Sequence, residues 1–246
     1  MAAAAAATVD YGIDAPLVAR GRFGRAGWAL ATEVAFWFMN RQDYPAPAEH
    51  VLAALAAVAL VCAGVGWFKI HSSKDGKLRL REQLLDQLAL QGDEKVLDVG
   101  CGRGLLTIGA AKRLKTGKVT GIDVWNPQEL SGNSADAAKE NAKAEGVADR
   151  VRFESGDARK LVYPENHYDV VVSANALHTL ADDRERGQAL REMLRVLKPG
   201  GRLLVFDTAE TGYLAQVLRE NGAKDVTLSP WSFLWCRLSR SVSARK

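Results

Sequence analysis

The sequence predicts an α/β fold, with a doubly wound, mostly parallel sheet of seven strands preceded by an N-terminal hydrophobic helical segment. Three observations carry this expectation. Short apolar runs alternate with stretches of helical periodicity from about residue 78 to the end of the chain, the pattern of a sheet covered on both faces. The apolar run Val96-Leu97-Asp98-Val99 ends in Gly100-Cys101-Gly102-Arg103-Gly104, and a second apolar-periodic segment follows at once. Finally, residues 51 to 68 carry no charge at all.

The elements follow in order. Leu78 to Leu90 places apolar residues at 78, 80, 84, 85, 88 and 90 with charges between, an amphipathic lead-in helix. Val96 to Val99 is the first strand. Leu105 to Leu114 is the helix behind the glycines, and it offers the unpaired N–H groups of a helix start. Lys118 to Asp123 is a second strand ending in a carboxylate, and Ser134 to Glu145 a helix stopped by Gly146. Val151 to Glu154 is the third strand. Tyr168 to Ala174 is the fourth, apolar enough to be buried on both faces. Arg184 to Leu197 follows as a helix, with Asp182 or Asp183 as its N-cap. Lys198-Pro199-Gly200-Gly201 stops that helix and opens the fifth strand, Arg202 to Asp207. A helix from Thr211 to Asn221 ends at Gly222, and Val226 to Ser229 with Ser232 to Ser239 reads as a closing strand pair.

The glycine spacing narrows the ligand. Each glycine lets the backbone approach a ligand where a Cβ would collide. A dinucleotide site wants G-x-G-x-x-G. Here the third glycine comes one residue early and Leu105 takes the sixth place, which disfavours a nicotinamide oxidoreductase. The pattern Asp98-x-Gly100-x-Gly102-x-Gly104 resembles the first motif of the class I methyltransferases that use S-adenosylmethionine (AdoMet). Asp123 lies about 20 residues beyond, where a ribose-binding acid belongs. Ser155-Gly156-Asp157-Ala158 resembles the adenine-edge motif of that family, and the Lys-Pro-Gly-Gly turn fits it without doing chemistry. The resemblance covers roughly residues 76 to 246. It implies AdoMet as cofactor, held by Asp98, Gly100, Cys101, Gly102 and Gly104 of the turn, by Asp123 and Val124, by Gly156, Asp157 and Ala158, and by Asn175.

The acceptor side is less legible. Methyl transfer needs mainly an oriented nucleophile, so proximity supplies much of the rate, and a general base only when the acceptor is protonated. Asn175 and His178, just after the fourth strand, are the candidate catalytic residues. Trp125, Asn126 and Asn133 after the second strand are further candidates near the methyl group. Ser173-Ala174-Asn175-Ala176 stands where amino-methylating nucleic-acid enzymes carry Asn-Pro-Pro-Tyr, and the clustered cysteines of an arsenite methyltransferase are missing.

Composition supports this reading. The 246 residues, 48% hydrophobic, suffice for one α/β domain and an appendage. A net charge of +4 without a basic, aromatic-interleaved stretch does not indicate a nucleic-acid partner. Cys62, Cys101 and Cys236 match no metal spacing, so no metal is expected. Cys101 reads as a small residue that fits its turn.

Residues 1–25 are expected to be a flexible N-terminal segment, 26–70 a membrane-associated helical segment or hairpin, and 71–246 the AdoMet-dependent domain. Eighteen uncharged residues, at ~1.5 Å each, reach roughly 27 Å, just under the ~30 Å hydrocarbon core. Trp67 sits at the end of that run, and Lys69, Lys74 and Lys77 follow it. Arg20, Arg22 and Arg25 precede an earlier apolar stretch, Ala26 to Met39. By the positive-inside rule both ends then lie on the cytoplasmic side or its organellar equivalent. The expected partners are a membrane and a small-molecule or lipid acceptor. The expected function is methyl transfer to that acceptor; a non-catalytic AdoMet-binding scaffold is the alternative.

Overall fold

A computed structural model describes residues 9–12, 57, 60, 61, 64, 75–208, 210–235 and 237–246. From Lys77 on, five helices and eight strands follow one another: α1 (Lys77–Leu88), β1 (Lys95–Val99), α2 (Leu105–Arg113), β2 (Lys118–Asp123), α3 (Ala135–Ala144), β3 (Val151–Ser155), β4 (Tyr168–Ala174), α4 (Asp183–Val196), β5 (Leu197–Asp207), α5 (Thr211–Glu220), β6 (Lys224–Leu228), β7 (Ser232–Trp235) and β8 (Arg237–Arg245). A single 3-10 turn, Leu177–Thr179, lies between β4 and α4.

The strands form one sheet in the order β3-β2-β1-β4-β5-β8-β6, with short β7 paired to β8 off this path. The first five are parallel. β8 is antiparallel to both β5 and β6. The chain builds outward from β1 to β3, then restarts at β4 on the other side of β1. The order therefore reverses between β1 and β4, and in such sheets ligands bind outside the carboxyl ends of the strands at that reversal.

Strand residues alternate between two cores, as a period of two requires. Val96, Val170, Val172, Leu204 and Phe206 face one way and pack with the leucines of α1, with α2 and with α3. Leu97, Val99, Val171, Leu203 and Val205 face the other way, against α4 and α5. Ser134 caps α3 by accepting from Ala137 N, and Asp182 caps α4 by accepting from Glu185 N.

Two details differ from the sequence expectation. β5 begins at Leu197, so Pro199-Gly200-Gly201 lies within it; pairing with β4 jumps from Tyr168↔Leu197 to Val170↔Arg202, and the intervening residues loop out as a bulge. The closing pair is also rearranged. β6 pairs with β8, which wedges between β5 and β6. Its Arg-Leu-Ser-Arg-Ser-Val-Ser-Ala-Arg sequence hides a buried strand, because Ser239 and Ser241 are enclosed beside Val242 and Ala244.

The apolar segment at 26–70 lies almost wholly outside the described residues. Of it, Ala57, Leu60, Val61 and Gly64 are helical and exposed. Among the described residues no helix is long and apolar enough to cross a membrane.

Candidate cofactor and active site

β1 carries Val99 and Gly100 to the edge of a cavity of about 380 Å³. Gly100 has φ +75, and a Cβ on it would sit 2.2 Å from the Ala176 Cβ. Only glycine allows the ends of β1 and β4 to approach so closely. The Gly100 and Cys101 N–H groups both donate to Ile122 O, at 2.8 and 3.0 Å, which ties the turn to β2.

Asp123 ends β2 and is almost wholly buried. Its Oδ2 accepts the Gly102 N–H at 2.8 Å. Its Oδ1 accepts the Trp125 N–H at 2.7 Å and the Asn133 Nδ2 at 3.2 Å. The carboxylate is thus held at the mouth of the glycine turn by its neighbours. Asn133 Oδ1 is buried without a hydrogen-bond partner, and so is Asn175 Oδ1 at the end of β4. Both asparagines line the cavity. A buried acceptor left unpaired is costly unless a ligand completes it.

Asp98 lies under the turn, fully enclosed, and accepts the Thr107 hydroxyl at 2.6 Å. Burial pushes its pKa up to about 7; the Thr107 bonds oppose the rise and the Asp123 charge adds to it. Burial likewise pushes the Cys101 thiol well up, helped by Asp98 and Asp123, so Cys101 stays a protonated packing residue. Across the cavity, Asp157 is held low chiefly by the Arg159 guanidinium, which grips both its oxygens and also reaches Glu185 at 2.6 Å.

The cavity gathers Asp98, Gly100, Cys101, Gly102, Asp123, Val124, Gly156, Asp157, Ala158 and Asn175 from the expected set. Gly104 and His178 are not among its lining residues. Gly104, at φ +87, sits behind the turn, where an added Cβ would meet Ile108 Cδ1 and Phe153 Cζ at 3.0 Å. It serves the packing of α2 on β3. His178 turns its Nδ1 onto Asp207, 3.0 Å away, and Asp207 also accepts the Leu177 and His178 N–H groups. That carboxylate at the end of β5 holds the ring through Nδ1. Trp125 and Asn126 do not line it either. Trp125 Nε1 donates to Ser155 Oγ at 2.9 Å, and Asn126 Nδ2 to Glu129 Oε1 at 2.8 Å.

Sequence reasoning missed the lining residues Tyr11, Lys77, Arg103, Glu129 and Leu130. Arg103 sits inside the glycine motif, so its position was visible there. Tyr11 and Lys77 carry no local signal and reach the site only through the tertiary fold.

Residues 96–201 match a family described as "Methyltransferase domain". Methyltransferase GfsG of Streptomyces halstedii is 38% identical over 140 residues, which is 56% of this chain and 46% of that protein. The demethylmenaquinone methyltransferase of Lactiplantibacillus plantarum is 37% identical over 131 residues, 53% of this chain and 52% of that protein. A crystal structure of a SAM-dependent methyltransferase from Aquifex aeolicus shares the fold, with a TM-score of 0.52 at 23% identity over 67% of this chain and 88% of that one. The chain spans about half the length of these curated relatives. Residues 96–201 are thus similar to a methyltransferase domain, on a fold shared with an S-adenosylmethionine-dependent enzyme.

The residues fit that cofactor. AdoMet presents ribose hydroxyls, an adenine amino group and an ammonium group as donors. The cavity presents the Asp123 carboxylate and two orphaned amide oxygens as acceptors.

Proposed function

We propose that the chain is an AdoMet-dependent methyltransferase acting on a small or lipophilic acceptor. The observation that carries the reading is the convergence in one cavity of the glycine turn, the Asp123 carboxylate and the unpaired oxygens of Asn133 and Asn175, at the ends of β1, β2 and β4 and in the loop after β2. In this reading Asp123 accepts from the ribose hydroxyls, and the backbone at Gly100 and Gly102 packs against the cofactor. Asp157 and its neighbours Gly156 and Ala158 border the adenine.

When bound, the cofactor supplies an electrophilic methyl group on a sulfonium. The protein's part is to exclude water and to aim an acceptor at that methyl, which can supply a large share of the rate. Asn175 Oδ1 is the group proposed to orient the acceptor or the amino-acid end of the cofactor. His178, whose Nδ1 is held by Asp207, is proposed to position the turn after β4, and no base is required of it. An acceptor already deprotonated needs none.

The lipophilic acceptor rests on placement. Residues 26–70 are proposed to hold the protein at a membrane, with the domain on the cytoplasmic side. The support is the uncharged run at 51–68, its flanking lysines, and the exposure of Leu60 and Val61 on a helix. One matched relative is named for demethylmenaquinone, in keeping with such an acceptor.

The test is calorimetric titration of the full-length protein with AdoMet and, separately, with NAD, followed by transfer of labelled methyl into fractionated membrane lipids. AdoMet binding with label in a lipid fraction is expected. Binding without transfer to any acceptor would favour the scaffold alternative, and preference for NAD would overturn the reading.

A further inference from the structure

Asp10, Tyr11 and Gly12 lie outside the region matched to the methyltransferase family, yet Tyr11 is part of the wall of its cavity. All but one of their bonds reach far along the chain. The Asp10 N–H donates to Asn141 Oδ1 at 3.1 Å, and Asn141 Nδ2 returns a bond to Asp10 O at 2.9 Å. The same Nδ2 donates to Arg103 O at 3.0 Å. Asp10 Oδ2 pairs with Arg103 Nη1 at 3.0 Å, while Oδ1 accepts the Gly12 N–H at 2.8 Å. Lys77 Nζ donates to Gly12 O at 2.8 Å and to Tyr11 O at 3.4 Å. The Tyr11 hydroxyl donates to Glu145 Oε1 at 3.0 Å.

Two features join this short strap to the ligand cavity. Tyr11 and Lys77 both line it. Arg103 stands between Gly102 and Gly104, so the Asp10 carboxylate grips the glycine turn itself. The same guanidinium donates to Ser131 O at 3.2 Å, beside the lining residues Leu130 and Asn133.

We propose that residues 9–12 are a strap of the cofactor site, docked through Asp10, and that its docking and cofactor binding reinforce each other. This rests on the reading of the cavity as an AdoMet site. Tyr11 supplies the strap's apolar contact, packing partly buried against the core, and the rest of its hold is polar bonds. The net worth of each such bond is comparable to the cost of ordering one residue. Docked and undocked forms are therefore close in free energy. A ligand that touches Tyr11 only in the docked form shifts that balance, and docking must raise the affinity for the ligand by the same factor.

Hydrogen exchange on the full-length protein reads docking through the Asp10 N–H, which is bonded to Asn141 when the strap is down. Saturating AdoMet should slow exchange across residues 9–12 about ten-fold. Asp10→Ala should speed that exchange in the free protein and weaken AdoMet binding about ten-fold, the scale of one charge-assisted bond. Thermal melting should leave the main transition in place. If AdoMet binds the parent protein yet leaves exchange at 9–12 unchanged, or if Asp10→Ala binds it as tightly as the parent, the strap is overturned while the cofactor site stands. If the parent binds no AdoMet, the cofactor site falls first, and the strap's coupling with it.

Discussion

Three donors converge on the Asp123 carboxylate, and they fix its position without a ligand. Such preorganisation lowers the cost of binding. Losing two charge-assisted bonds to the ribose should outweigh the loss of the internal contacts. Replacing Asp123 with Ala is expected to weaken AdoMet binding roughly ten- to a hundred-fold, the equivalent of ~1.5–3 kcal/mol, while the circular dichroism spectrum stays that of the parent. An unchanged dissociation constant would reduce Asp123 to a strand-end carboxylate. Asp98 makes a different prediction. Its folded pKa of about 7 lies above its ordinary value of 3.8, so the folded state holds the proton more tightly than the unfolded state. Stability from this group is complete below the ordinary value and is lost as pH rises through about 7. Asp98→Asn removes that loss. In cofactor-free protein, the melting temperature of the variant relative to the parent should climb from about pH 4 to about pH 7 and then level off. The depressed carboxylates, such as Asp157 and Glu192, act in the opposite direction but are common to both proteins and cancel. A difference independent of pH would show that Asp98 ionises in the folded state as freely as in water.

At the scale of elements, legibility followed the strength of the local signal. α1 to α5 and β1 to β4 announce themselves through apolar periodicity, and Gly100 and Asp123 stand at strand ends that line the cavity. β8 did not, because its buried serines satisfy themselves through long-range bonds. Ser241 Oγ donates to Gln87 Oε1 at 3.2 Å, and its N–H donates to Ser229 Oγ at 2.9 Å. Nor could local sequence distinguish a Pro-Gly-Gly turn before β5 from a bulge within it, since the deciding partner is β4. His178 was placed near the cleft by sequence proximity to Asn175, but Asp207, 29 residues later, captures its ring. The helix caps were readable and carry a direct expectation. Asp182→Ala removes the acceptor for Glu185 N at the start of α4. It should cost about 1 kcal/mol of stability, measured by urea unfolding with unchanged m-value. No loss would mean that water replaces the cap fully.

At the scale of the whole molecule, an apolar N-terminal run precedes the sheet that carries the cavity. An enzyme held at a bilayer meets lipophilic acceptors at high local concentration, so location and acceptor chemistry stand or fall together. The full-length protein is expected to stay in the membrane pellet after alkaline carbonate washing. Its release into the supernatant would exclude a spanning segment and leave, at most, a surface-docked helix. The central claim concerns the cavity, and Gly102 tests it most directly. Its N–H meets Asp123, its φ is +52, and an added Cβ would crowd Leu130 Cδ2 at 2.9 Å. Valine there places a branched side chain against the cofactor's path in a backbone conformation it resists. Calorimetric titration of the full-length Gly102→Val protein with AdoMet, beside a melting curve that confirms folding, should detect no binding. Near-parental affinity in a folded variant would contradict the assignment of this cavity to the cofactor.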